Sequence, residues 1–253
     1  MKEKVKAKLS QLVDKKYIYL TKRGNDSIDK ILNYLAEKKG NNQIYLQKEG
    51  GWMTYPDYAE KYFEKVEYLE LKNWQINLSQ LIKGVLLINS MPGYSALQNM
   101  NSLQELNEIT IINDVSGSIG TNQAKKGDYI IGSFGRWKPL SIGQGGFIAS
   151  NHELPLQDHT QLNLKELDMA ITNLNNRLEK WQEIKNKVVK DLAKFNIIST
   201  KEGINVIITY DEDNTRETLI KYCQDNKLEY TQCPRYIRTL KNAISIEIKR
   251  RNT

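Results

Sequence analysis

Two cysteines and two histidines are few for a chain of 253 residues. Cys223 and Cys233 build no disulfide framework, and with His152 and His159 they do not fall at zinc-ligand spacing. A metal centre is therefore not expected. No apolar run approaches the roughly 20 residues of a bilayer span, so no membrane partner is expected either. The N-terminus, MKEKVKAKLSQLVDKKYIYL, is basic but lacks the apolar h-region and small-residue cleavage site of a signal peptide, which predicts a cytoplasmic protein. Internal repeats and low-complexity segments are also missing. The net charge of +7 has no matching basic stripe. Lysines are interleaved with Glu and Asp along the chain, and only Lys249-Arg250-Arg251 form a run. That pattern describes a solvated surface, so no nucleic-acid partner is expected.

What is present is an alternation of short apolar runs and amphipathic stretches. Residues 3–15 place Val5, Leu9, Leu12 and Val13 at helical spacing. A strand is predicted at 17–20, a helix after the turn Gly24-Asn25-Asp26-Ser27, a strand at 43–46, and a helix through Tyr58, Tyr62 and Phe63. An edge strand at 68–71, a short helix at 78–82, a strongly apolar strand at 85–88 and a helix at 97–106 follow. Strands at 109–112, 129–131 and 147–149 complete the series. The alternation predicts an α/β fold with a mostly parallel sheet covered by helices. From residue 161 the character changes. Residues 162–195 read as one long helix, with Leu164, Leu167, Leu174, Leu178 and Trp181 on its apolar face. Strands at 205–210, 229–232 and 243–248 and a helix at 215–226 predict a small α+β unit. The expected division is 1–160 and 161–253.

The chemistry concentrates in residues 109–148. The first strand there runs into Asp114 and Ser116; the second runs into Ser133, then Lys138, then Gly143-Gln144-Gly145-Gly146. In open α/β sheets ligands collect at the carboxyl ends of strands. A carboxylate, a hydroxyl and a lysine converging there suit pyridoxal phosphate. That cofactor needs an amine for a Schiff base, an acidic partner for its pyridinium nitrogen, and small donors with a helix N-terminus for its phosphate. Read separately, Asp114 could cap a turn and Lys138 could be a surface lysine. The strand-turn-helix at Gly24 and Asn25 could be a phosphate cradle or a plain helix cap.

The ordered set Asp114, Gly127-Asp128, Ser133-Phe134-Gly135-Arg136-Trp137-Lys138 and Gly143-Gln144-Gly145-Gly146 resembles the DegT/DnrJ/StrS family of fold-type I aminotransferases. Glu166-Leu167-Asp168-Met169-Ala170 is similar to the opening of that family's long bridging helix. The resemblance implies a fold-type I large domain with a small C-terminal domain. It also implies a homodimer with shared active sites, and amino transfer from glutamate or glutamine to a keto sugar linked to a nucleotide. It implies roles as well. Lys138 would hold the cofactor and Asp114 its ring nitrogen. Ser133, Ser116, Gly24 and Asn25 would line the cofactor and its phosphate, and Trp52 would stack on the ring or else anchor surface to core. Gln161 would reach the partner subunit's cofactor. Three positions depart from the family pattern: Asp26 in the phosphate turn, Gly117 where Gln or His is usual, and Gln161-Leu162-Asn163 in place of Asn-Tyr-Arg. Gly117, Asp26 and a length about a third below that family's motivate a second expectation, an aminotransferase fold without catalysis that serves as a binding or regulatory partner.

Overall fold

The computed structural model describes residues 1–39, 42–103, 106–159 and 161–251. Helix α1 (Lys2–Val13) buries Val5, Leu9 and Val13. Its lysines strap it to the body: Lys2 and Lys6 pair with Asp158, and Lys4 and Lys8 with Asp168. Strand β1 (Tyr17–Thr21) leads to α2 (Gly24–Lys39), β2 (Gln43–Gln47), α3 (Tyr55–Tyr62) and β3 (Lys65–Leu69). A small hairpin, β4 (Leu71–Lys72) and β5 (Gln75–Ile76), precedes β6 (Gly84–Asn89), β7 (Ile109–Asp114), β8 (Tyr129–Ser133) and β9 (Gly146–Ser150).

Seven of these strands form one sheet in the order β1-β9-β8-β7-β6-β2-β3. From β3 to β8 all neighbours are parallel. β9 is antiparallel to both β8 and β1. Every residue of β6 and β7 is buried, which is why both read as continuous apolar runs: a parallel sheet is covered on both faces. On one face Ile112, Ile131 and Ile148 pack under Ile28, Ile31 and Leu35 of α2 and Tyr55 of α3. Strand alternation then puts Asp114 and Ser133 on that same face, two residues beyond Ile112 and Ile131. On the other face Ile130, Phe147 and Ala149 pack under Val5 and Leu9 of α1 and under Leu167.

The chain continues through α4 (Leu164–Thr172) and α5 (Leu174–Asp191) into a four-stranded antiparallel sheet. That sheet contains β10 (Asn196–Ile198), β11 (Val206–Thr209), β12 (Tyr230–Arg235) and β13 (Thr239–Ile246), in the order β10-β11-β13-β12, with α6 (Asp213–Asp225) before β12. Its core joins Trp181, Val188, Leu219, Ile208 and Ile246 to Met91 and Tyr94 from the large sheet's loop. The architecture is the α/β class expected, with a mostly parallel large sheet and a small α+β unit.

Local expectations differ from the structure in several places, and the edge strand expected at 68–71 runs instead over Lys65–Leu69 and ends before the β4–β5 hairpin. The described part of 97–106 is not helical. Its backbone N–H groups donate elsewhere: Leu97 to Thr200 Oγ1, Asn99 to Gln75 Oε1, Met100 to Gln123 Oε1 and Asn101 to Asn99 Oδ1. Amide and hydroxyl side chains out-compete the helix here, while Met100 and Leu103 still cover Leu86, Ile88 and Ile111. The helix at 78–82 shrinks to one 3₁₀ turn, Leu78–Gln80, nucleated by Asn77. The long helix breaks at Asn173 into α4 and α5. β10 is an additional strand.

Candidate active site

The site lies where β7, β8 and α2 meet. Asp114 ends β7 and is buried. Its Oδ1 accepts from the Ser116 backbone N–H (2.8 Å) and its Oδ2 from the Tyr55 hydroxyl (2.6 Å). Burial pushes the Tyr55 phenol well above its ordinary pKa, and the adjacent carboxylate adds to this. Tyr55 therefore remains a donor, and it fixes the Asp114 carboxylate from the α3 side.

Gly24 opens α2 directly against the end of β8. A Cβ at residue 24 would stand 2.8 Å from the Ser133 Cβ, so only glycine permits this approach. The Ser133 hydroxyl accepts from the Gly135 N–H (3.1 Å). Asn25 Oδ1 accepts from the Trp52 indole N–H (2.9 Å), which fixes the indole beside the helix N-terminus. Asp26 turns away from the cavity. It accepts from the Lys22 N–H (2.9 Å) and pairs with Lys30 (3.2 Å), as a helix-start residue commonly does.

Lys138 projects into the same cavity. Its ammonium donates to the Tyr94 hydroxyl and stands 4.4 Å from the Tyr94 ring centroid and 5.2 Å from that of Trp52. The Tyr94 ring also faces Arg238 at 5.0 Å and Lys249 at 4.6 Å. A Cβ on Gly117 would stand 2.6 Å from the ring's Cδ1, so Tyr94 occupies the space a side chain at 117 would need.

Arg238, in the turn between β12 and β13, and Lys249, in the 3₁₀ turn Ile248–Arg250 after β13, are held by Glu247. Arg238 engages that carboxylate through two nitrogens (2.7 and 2.8 Å), Lys249 donates to its Oε2, and Ser245 and Asn205 add further donors. Burial works against ionisation of Glu247, but Lys249 and Arg238 outweigh it and hold the carboxyl far below the usual range. Burial pulls Lys249 well below an ordinary lysine, with Glu247 opposing.

Gly24, Asn25, Trp52, Asp114, Ser116, Ser133 and Lys138 all line one cavity of about 430 Å³. Gln161 lies outside it and is exposed. Sequence reasoning missed Tyr55, Tyr94, Arg238 and Lys249. Tyr94 alone had a local signal, the Pro92-Gly93-Tyr94 turn after an apolar strand. Arg23, Arg136 and Arg235 also line the cavity, and none has an ion-pair partner among the described residues. Among those residues no group of His, Cys, Asp and Glu could hold a metal ion, and no helix is long and apolar enough to cross a membrane.

Residues 163–253 match the MJ1341 family C-terminal domain. No curated protein matches the sequence. Among solved structures, a NifS-like protein is 16% identical with a TM-score of 0.73, covering 99% of this chain and 82% of its own. A GDP-4-keto-6-deoxymannose-3-dehydratase with bound GDP-perosamine is 11% identical with a TM-score of 0.73, covering 96% and 87%. A DegT DnrJ EryC1 StrS aminotransferase from Brucella abortus is 12% identical with a TM-score of 0.71, covering 97% and 84%. At these identities the likeness concerns the fold, and the fold of this chain is that of the fold-type I aminotransferases.

Proposed function

We propose that this protein is a pyridoxal-phosphate-dependent aminotransferase acting on a keto sugar linked to a nucleotide. The observation that carries the reading is the convergence of the Lys138 amine, the Asp114 carboxylate and the Gly24–Ser133 approach in one cavity at the carboxyl ends of β7 and β8. The volume suits a ligand of that size. The donor set also fits: a carboxylate for a ring nitrogen, a flat indole for a ring face, and a helix N-terminus with a hydroxyl for a phosphate.

When bound, the cofactor supplies an electron sink for breaking a bond at the substrate's amine-bearing carbon. The chain does the rest. Asp114, oriented by Ser116 and Tyr55, presents its carboxylate to the ring nitrogen. Ser133, Ser116 and the first turn of α2, with Gly24 and Asn25, hold the phosphate end. Trp52 covers the ring. Lys138 would hold the cofactor through its amine and, when that amine is free, would carry the proton at the reacting carbon. Arg23, Arg136 and Arg235 offer unpaired positive charge to an anionic acceptor such as a nucleoside diphosphate sugar. We further read the protein as a homodimer in which the exposed Gln161 faces the partner's site. Residues 1–160 then act as the cofactor-binding unit, and 161–253 as the bridging helices and small unit. Glutamate or glutamine is the amino donor in this reading.

The test is the visible absorption spectrum with added pyridoxal phosphate, before and after borohydride, in wild type and Lys138→Ala. A yellow band that borohydride traps on Lys138 supports the reading. No band, or a band unchanged in Lys138→Ala, overturns it and leaves a fold retained for binding.

A further inference from the structure

We propose that Tyr94 is the positioning residue of Lys138, holding the lysine amine in the cavity through its hydroxyl, with Gly117 and the small sheet seating its ring. The inference rests on the aminotransferase reading for its catalytic consequence, but the Tyr94–Lys138 contact itself does not.

Four observations converge on Tyr94. The Lys138 ammonium donates to its hydroxyl, so the phenol restrains the amine at the outer edge of its ring. The backbone there is unusual: Gly93 and Tyr94 are both left-handed, with φ of 61° and 62°. A bulky residue adopts that region only when its surroundings impose it. The anchors are present. The Tyr94 N–H donates to the Met91 carbonyl (2.9 Å), and the Tyr94 carbonyl accepts from the N–H groups of both Ile204 and Asn205 (2.8 Å each). Third, residue 117 lacks a side chain where one would collide with the ring. Fourth, Arg238 and Lys249 face the same ring, themselves fixed on Glu247.

A lysine carries four rotatable bonds, and an amine free to wander spends little time in a reactive geometry. A buried phenol whose backbone is tied to one sheet and whose hydroxyl reaches a lysine of the other removes that freedom. It also makes the small sheet part of the lysine's placement: Ile204, Asn205, Arg238 and Lys249 all act on Lys138 through Tyr94. A Tyr94 that only packed its ring would need the space at Gly117 but not its hydroxyl, and the hydroxyl is the atom that meets Lys138.

The test uses the whole protein in two states. In the cofactor-free protein, Lys138 acetylation by acetic anhydride is followed by peptide mass spectrometry, with the exposed Lys83 as internal reference. Loss of one hydrogen bond in Tyr94→Phe should raise Lys138 labelling relative to Lys83 by about fivefold. Gly117→Ala should change it in the same direction without altering either partner. With pyridoxal phosphate added, the pH at which the borohydride-sensitive band changes should move by at least about half a unit in Tyr94→Phe. Amino-transfer kcat should fall by about tenfold at unchanged KM for the donor. Labelling of Lys138 unchanged within about twofold in Tyr94→Phe overturns the proposal; so does an unmoved band with unmoved kcat. If wild type shows no band while labelling responds, the aminotransferase reading fails and the positioning of Lys138 by Tyr94 stands.

Discussion

The parallel strands of the large sheet open onto two clefts, one at each end. The cleft at the amino ends is the larger, about 1220 Å³ against about 430 Å³. It is lined by charges of both signs, and most of those charges are answered locally. Asp128 accepts from the Ile111 N–H (2.8 Å), Glu64 accepts from Asn42 (2.8 Å), Lys65 pairs with Glu67 (2.5 Å), and Lys15 reaches the Lys125 carbonyl (3.4 Å). The cleft at the carboxyl ends holds one buried carboxylate and cations from both sheets, several of them unpaired. Volume alone would choose the amino-end cleft. What marks the smaller cleft is that groups from separate elements converge on it with valences left over.

The largest effect that would sharpen this contrast is on stability. Glu247→Gln leaves Arg238 and Lys249 buried without their carboxylate, and urea unfolding should report a loss of about 3–5 kcal/mol. The same residue sets a pH dependence. Its folded pKa lies below its unfolded value of about 4.3, so its contribution is complete above that pH and is lost as pH falls towards the folded value. The acid limb of the wild-type stability curve should therefore flatten in Glu247→Gln; an equal slope would contradict the assignment. Next is Asp114→Asn. Withdrawing a carboxylate from beside a ring nitrogen moves that nitrogen's protonation by roughly 1–3 pKa units, so amino transfer should slow by about 100-fold. Ser133→Ala removes the hydroxyl proposed to meet the phosphate, and a cofactor titration should show affinity weakened by about tenfold. At the other end of the strands, Lys83→Glu should leave cofactor affinity unchanged within about twofold, since exposed charges beyond about 10 Å are screened. A large effect of Lys83→Glu would break the comparison.

The contrast also explains what was legible in the sequence. Asp114, Ser116, Ser133 and Lys138 follow short apolar runs, and the period of a strand dictates the face on which the first residues beyond it emerge. Gly24 and Asn25 announce a helix start. Tyr55, Arg238 and Lys249 carry no such local mark. Each enters the site from an element distant in sequence, and a buried lysine reads like any surface lysine until Glu247 is placed beside it. The missing helix at 97–106 has a related cause. Its apolar spacing was real, because Met100 and Leu103 do cover the sheet. Amides from residues 75, 99 and 123 took its backbone N–H groups, and pattern alone does not disclose that competition. The departures at Asp26 and Gly117 have local explanations as well: one caps a turn away from the cavity, and the other makes room for Tyr94.

Strand β1 has a single neighbour in the sheet, β9. The two are separated by well over a hundred residues, since Tyr17 aligns with Ser150. During synthesis, β1 and the glycine turn after it must therefore wait for almost the whole large sheet to emerge before they find their place. The Gly24 turn, though it precedes nearly all of the large sheet in sequence, belongs to the last part of that sheet to close.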